Sequence, residues 1–173
     1  MLAPDAFRRQ LLEALPRLRR YARSLLFDAS AADDLVQTTV ERALIHWSRF
    51  DPVRDMAVWL LAIAHNAWLD QWRRDARVDV VAPEHFESIA ALGGGESDHA
   101  LRLDLLAALR KLGHEHREVV LLVGVEQLTY AEAAEVLRVP VGTVMSRLSR
   151  ARAALRGHLD RPAAVPSHLT RVV

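Results

Sequence analysis

The stretch LTYAEAAEVLRVPVGTVMSRLSRARAALR, from Leu128 to Arg156, decides how the chain is read. Thr129 and Glu132 have the spacing of a capping box, in which the two side chains reciprocally satisfy the orphan amides of a helix start. Ala131, Ala134 and Leu137 follow, small or apolar and suited to close helix contact. Arg138 and Val139 lead into Pro140, whose fixed φ suits the first turn of a new helix. A short helix, a tight turn and a second helix make a helix-turn-helix. In the second helix Val144, Leu148, Ala151 and Leu155 step by four, three and four and form the stripe expected to be buried. Thr143, Met145, Ser146, Arg147, Ser149, Arg150 and Arg152 are left to face outward. Five arginines (Arg147, Arg150, Arg152, Arg156 and Arg161) fall in or just after this helix, against one acid, Asp160. A helix of this width fits the major groove, where Arg and Ser read base edges and Thr and Arg hold phosphates. A solvated basic face would carry the same arginines, but it would not need the capped helix and Pro-bearing turn in front of it.

The rest of the composition makes that concentration informative. The 173 residues hold 23 Lys and Arg against 22 Asp and Glu, a formal net charge of +1. A uniformly basic nucleic-acid binder is excluded, so any such site must be local. Cysteine is absent, which removes disulfides and thiolate metal sites and fits a reducing compartment. Acids and arginines interrupt the N-terminal apolar pattern, so it does not read as a signal peptide. No apolar run approaches the ~18 residues of a membrane span. These features predict a soluble, cytoplasmic chain.

Working outward, helical periodicity is nearly everywhere, and the only strand-like run is RVDVVAP near Val78. Phe7, Leu11, Leu15, Leu18 and Leu25 mark a first helix. A second is predicted from Ala31 to Trp47, with Leu35, Val36, Val40, Ala43 and Trp47 on one side. A third runs from Val53 to Arg74, with Met56, Trp59, Leu60, Ile63, Ala67 and Trp68 inward. Composition then shifts. Pro83, Gly93 to Gly95 and scattered acids (Asp75, Asp79, Glu84, Glu87, Glu96, Asp98) read as a flexible linker. Helical patterning resumes near Leu101 with Leu105, Leu106, Leu109 and Leu112, then Val119, Val120, Leu122 and Val123. The prediction is an all-α chain of two small helical domains: residues 1–77, a linker over 78–100, residues 101–160, and a frayed tail over 161–173.

At these residues the chain resembles a known family. Leu128 to Leu155, with Gly142-Thr143-Val144, Ser146-Arg147-Leu148 and Arg150-Ala151-Arg152, is similar to region 4 of bacterial sigma factors of the extracytoplasmic-function (ECF) group. DASAADDLVQTTVERAL, with Asp34-Leu35-Val36-Gln37, resembles region 2.2, and WLLAIAHNAWLDQWRR resembles regions 2.3 and 2.4. The resemblance covers about residues 5 to 158 and implies an RNA polymerase sigma factor, with the seven outward residues of the second helix on the −35 element. Region 2.2 implies docking on the β′ coiled coil of core RNA polymerase through Asp33, Asp34, Gln37 and Glu41, with the β subunit as a further contact. Regions 2.3 and 2.4 imply melting and reading of the −10 element through Asn66, Trp72, Arg73, Arg74 and Arg77. Asn66 resembles the position that reads a flipped base, and Asn presents both donor and acceptor to a base edge. Arg73 and Arg74 at a helix end fit either phosphate contact or the helix dipole, and Trp72 fits either a packing or a stacking role. The family further implies promoter DNA and an anti-sigma factor as partners, release by a stress signal, and a monomer when free.

The pattern departs from the family at Met145, where Arg or Lys is frequent, at Ser149, where some members have a larger residue, and at Gln127, where Gly is usual. The last is expected only to lengthen a helix end. HEHRE, His114 to Glu118, lacks the HExxH spacing of a zinc helix; its histidines sit two apart and diverge on a helix, so a loop or helix start is expected there. Gly93 to Gly95 lacks the Lys and Ser/Thr of a phosphate loop. No cofactor, metal site or catalytic constellation is predicted. Two rival readings are a dimeric helix-turn-helix regulator, which leaves WLLAIAHNAWLDQWRR unexplained, and an adaptor that sequesters an anti-sigma partner without transcribing.

Overall fold

The computed structural model describes residues 3–75 and 96–159, with nothing stated of the side chains of Asp75 and of residues 96–102. Seven α-helices account for most of it: α1 (Asp5–Leu26), α2 (Ala29–Ile45), α3 (Met56–Asp75), α4 (Glu96–Lys111), α5 (His114–Val120), α6 (Tyr130–Leu137) and α7 (Val141–Leu159). A 3-10 turn, Trp47–Arg49, follows α2, and a π turn, Leu121–Val125, continues α5. There is no strand among the described residues. The strand-like run near Val78, Arg77, most of the expected linker and the tail lie outside the described residues.

Helix ends follow from local chemistry. Asp28 caps α2 by accepting from the Ala31 amide at 2.7 Å. Thr129 and Glu132 form the expected capping box at α6, with the Glu132 amide donating to Thr129 Oγ1 and the Thr129 amide donating to Glu132 Oε2. Arg138, left-handed at φ 53°, ends α6, and the Val139 amide returns to the Ala134 carbonyl at 3.1 Å. Pro140 then stands just before α7 rather than inside it, its carbonyl accepting from Val144.

Several expected boundaries move. Trp47 leaves α2 for the 3-10 turn, and Val53 precedes α3 and is almost fully exposed. Helix α4 begins at Glu96, five residues before the expected resumption at Leu101, because Glu96-Ser97-Asp98 supplies the residue types that open helices rather than linker charge. Gln127 does not lengthen a helix; it turns the chain at φ 57°, a conformation a glycine adopts without strain. In α6 the inward face is Ala133, Ala134, Val136 and Leu137, while Ala131 is exposed; an eight-residue helix seals one stripe, and Ala131 falls off it. In α7 Val144, Leu148 and Ala151 are buried and Leu155 is half-buried.

Two apolar clusters hold the described residues together. One joins Ala3, Phe7, Leu11, Ala14, Ala43, Phe50, Met56, Ala57 and Leu60, with Phe7, Phe50 and the half-buried Trp59 meeting at ring-centroid distances of 5.2–6.0 Å. The other does not respect the two-domain division. It runs from Leu18, Tyr21 and Leu25 of α1 and Leu61 and Ala64 of α3 into Leu109, Val119, Leu122, Val136, Val144 and Leu148 of the C-terminal helices. Each fully buried Leu or Val contributes about 1.5–3 kcal/mol, so the shared cluster ties both helical units into one body.

Candidate nucleic-acid and polymerase interfaces

On α7 the buried stripe turns the opposite side to solvent. Met145, Ser146, Ser149, Arg150 and Arg152 are exposed. Arg150 and Arg152 make no ion pair with any described residue, which leaves both guanidiniums available. Ser146 Oγ donates to the Thr143 carbonyl at 3.0 Å, a bond that turns this hydroxyl back along the helix. Thr143 and Arg147 are half-buried rather than outward. Arg147 Nη2 donates to Glu115 Oε1 of α5 at 2.8 Å, because α5 packs beside α7 and carries its acid there.

The outer edge of α2 carries Asp33, Asp34, Gln37 and Glu41, all exposed. Asp33 lies 4.0 Å from Arg23, and Gln37 Nε2 donates to Glu41 Oε1 at 2.9 Å. The same face continues into Leu44 and Ile45, 42% and 71% exposed, so the acidic edge ends in an apolar tip. Sequence reading missed those two, although they follow Gln37 and Glu41 by seven and four residues, one helix face.

Midway along α3, Asn66 is half-buried and donates from Nδ2 to the Ala62 carbonyl at 2.6 Å. Arg73 and Arg74 are exposed, and Arg74 Nε donates to the Asp70 carbonyl at 3.2 Å. Trp72 is 45% exposed, but its ring lies 5.0 Å from that of His114, and the Trp68 ring lies 5.5 Å from the same imidazole. His114 begins α5 and serves as an aromatic partner for α3. A groove of about 270 Å³ between α2 and α3 is lined by Asp34, Thr38, Trp68, Trp72 and Arg74, so residues assigned to two different partners share one surface.

Residues 11–78 match the family model for Sigma-70 region 2, and residues 102–155 match that for Sigma-70, region 4. The ECF RNA polymerase sigma factor EcfG of Rhodopseudomonas palustris is 36% identical over 87% of this chain and 83% of its own length. The chain belongs to the ECF sigma factors. ECF RNA polymerase sigma factor SigW of Bacillus subtilis is 31% identical over 78% of this chain and 79% of its own. Among solved structures, the sigma factor RpoE of Bartonella quintana, in complex with the anti-sigma factor NepR, matches at 31% identity and a TM-score of 0.77, covering 91% of this chain and 98% of that one. CnrH in complex with the cytosolic domain of CnrY matches at 28% identity and a TM-score of 0.61, covering 92% and 100%.

In this ECF sigma factor the largest feature absent from sequence reading is polar and lies between the two helical units. Glu126, its carboxylate fully buried, receives Arg20 through Nε and Nη2 at 2.9 Å each and Arg17 Nε at 3.2 Å. Arg17 Nη2 also donates to the Glu126 carbonyl at 2.9 Å. The Glu126 hydrogen bond raises the Arg20 pKa above its ordinary value. Glu118 receives the Tyr21 hydroxyl at 2.7 Å and lies 2.5 Å from His65 Nδ1. Burial, reinforced by the Glu118 charge, pushes the Tyr21 phenol well above its ordinary pKa. Arg54 pairs with Glu135 at the rim. Arg117 donates to the carbonyls of Leu25, Leu109, Arg110 and Leu112 at 2.9–3.0 Å and lies over the Phe27 ring at 4.9 Å. Burial, with Arg110 nearby, lowers its pKa. The signal was present: Glu118 and Glu126 share the inward stripe of Leu121 and Leu122, and an acid on a buried stripe requires a partner.

Proposed function

We propose that this sigma factor directs core RNA polymerase to promoters with two elements. Residues 101–160 read the −35 element through Thr143, Met145, Ser146, Arg147, Ser149, Arg150 and Arg152. Residues 1–77 open and read the −10 element through Asn66, Trp72, Arg73, Arg74 and Arg77, and dock on the β′ coiled coil through Asp33, Asp34, Gln37 and Glu41. The residues between α3 and α4 act as the spacer. The observation that carries this is the α7 face, where exposed Arg150 and Arg152 have no ion pair with a described residue and stand opposite the buried Val144, Leu148 and Ala151. Such a face suits phosphates and base edges of a major groove. The acidic edge of α2 suits a basic helical partner.

The protein works without a chemical step of its own, in the cytoplasm, where its polymerase is. That two solved relatives are held by anti-sigma factors, or by the cytosolic domain of CnrY, supports an anti-sigma partner here, released by a stress signal. The test is run-off transcription with purified core polymerase and a library of promoter sequences. Promoter-dependent transcripts are expected, and Asn66→Ala is expected to reduce permanganate reactivity of −10 thymines while sparing duplex binding by α7. A protein that binds core yet supports no transcript from any promoter favours the adaptor reading.

A further inference from the structure

The arginines of α7 are not alike. The helix carries Arg147, Arg150, Arg152 and Arg156 and no acid of its own. Arg150 and Arg152 are exposed, and neither has an ion pair with a described residue. A mobile guanidinium with its full charge is drawn to any phosphate, whatever the base sequence. Arg147 differs in place and in partner. It follows Val144 by three residues, so it leaves the helix about 60° from the buried stripe, on the flank toward α5. Its side chain is only 22% exposed, and Nη2 donates to Glu115 Oε1 at 2.8 Å. Glu115 comes from the first turn of α5, 32 residues away, and is the one acid paired with α7 among the described residues.

We propose that Glu115 is a specificity-determining positioning residue that acts through Arg147: it fixes the guanidinium and cancels its charge, so that Arg147 reads a base edge of the −35 element and holds no phosphate. This role of Glu115 rests on the reading of α7 as the −35 face. A guanidinium is a planar fork of donors. The bond to Glu115 engages Nη2, so the rest of the fork stays free for a base edge while its plane is held. A side chain already held in the free protein has less freedom to lose on binding, which favours the one base whose acceptors match its position. A loose arginine instead settles on whichever phosphate is near. The carboxylate also cancels the field of the guanidinium, so the pair brings no net charge to the duplex and releases no counterion. Stability alone explains the pair poorly. Glu115 is 52% exposed, and an ion pair this open to water contributes little to folding. The start of α5 is served by any first-turn acid, with or without an arginine opposite it. Both residues belong to the C-terminal helices, so the pair asks nothing of α1 to α3.

Glu115→Gln, Arg147→Ala and the double variant test this in holoenzyme assembled from the full chain and core polymerase. Each protein selects upstream elements from promoters randomised there, and binding to the selected element is followed across salt concentrations. Circular dichroism is expected to be unchanged in all three. Glu115→Gln is expected to steepen the slope of log K against log salt by about 0.9, the value of one freed charge. It is also expected to relax one base position by about 5- to 150-fold. Arg147→Ala is expected to relax the same position without steepening the slope. In the double variant the steeper slope is expected to be gone, because no guanidinium is left to free. An unchanged slope and base preference in Glu115→Gln overturns the proposal by making the pair a structural contact only. A slope as steep in the double variant as in Glu115→Gln overturns it too, by making Glu115 a plain repeller of phosphate. A parent holoenzyme that selects no upstream element sinks the −35 reading itself, whereas a parent that selects one while Glu115→Gln changes nothing sinks the role of Glu115 alone.

Discussion

Arg117→Met removes four hydrogen bonds and retains most of the apolar stem, so it isolates what one guanidinium contributes. Arg117 gathers three carbonyls at the end of α4 and reaches across to the Leu25 carbonyl near the end of α1. Hydrogen bonds from a charged donor contribute ~1.5–3 kcal/mol each. The bond to Arg110 is exposed and water replaces it, which leaves three part-buried ones. Taken one by one they sum to ~4.5–9 kcal/mol, but bonds that share one guanidinium do not add, and the guanidinium is held short of water. That loss of water is visible in the lowered Arg117 pKa. The Phe27 contact adds ~0.5–1 kcal/mol. The net expectation is a loss of ~2–4 kcal/mol out of the ~5–15 kcal/mol of a small domain. Arg117→Lys, with one compact ammonium, recovers about half of it. Urea unfolding followed by circular dichroism measures the loss. Because one apolar cluster runs through both helical units, the parent is expected to unfold in one transition. The Met variant is expected to split it in two, as the tie to α1 is lost. A single unshifted transition, or a loss below ~0.5 kcal/mol, would refute this accounting.

Tyr21 supplies a pH test. Its folded pKa is raised, so the stability it contributes is complete below the unfolded value of ~10 and is lost as pH rises from there toward the folded value. Tyrosinate absorbance should show a component that appears only with alkaline unfolding and vanishes in Tyr21→Phe. At the left-handed Gln127, Gln127→Gly is expected to be neutral or up to ~1 kcal/mol more stable, and Gln127→Val ~1–2 kcal/mol less stable; thermal melts that reverse this order remove the strain argument. Arg150→Ala is expected to weaken −35 binding with the fold intact. A loss of ~1–3 kcal/mol confined to one base position marks base reading, and a uniform loss with a salt slope smaller by about one marks phosphate contact; unchanged binding in a titration against duplex DNA removes Arg150 from the interface.

What was legible in the sequence is what periodicity and caps encode. The Val144, Leu148 and Ala151 stripe, the Thr129–Glu132 box and the inward faces of α1 to α3 are local patterns, each written within a few turns of one helix. They are enough to give the fold class and five of the seven residues expected on the outward face of α7. The same logic failed where a helix start depends on one turn, as at Glu96, and where a position sits near the edge of a stripe, as at Ala131. Arg147 was read as outward because nothing in α7 says that an acid on α5 stands beside it.

The contacts between the two units were illegible for a different reason. Arg20 and Glu126 are 106 residues apart, and His65 and Glu118 are 53 apart, so no window along the chain contains both partners. Only half of each pair leaves a trace: an acid on the Leu121–Leu122 stripe, or a histidine beside Leu61 and Ala64. An ionisable group on a buried stripe states that a partner exists without saying where. That has a mechanical consequence. If the stripe of α5 were purely apolar, the units would meet over a broad, slippery surface with no preferred register. Two carboxylates that must each find their own hydrogen-bonding partners, arginines for Glu126 and Tyr21 with His65 for Glu118, convert that surface into one discrete arrangement. Charge at the junction therefore specifies how the two units sit on each other, while the apolar cluster supplies the stability of that arrangement.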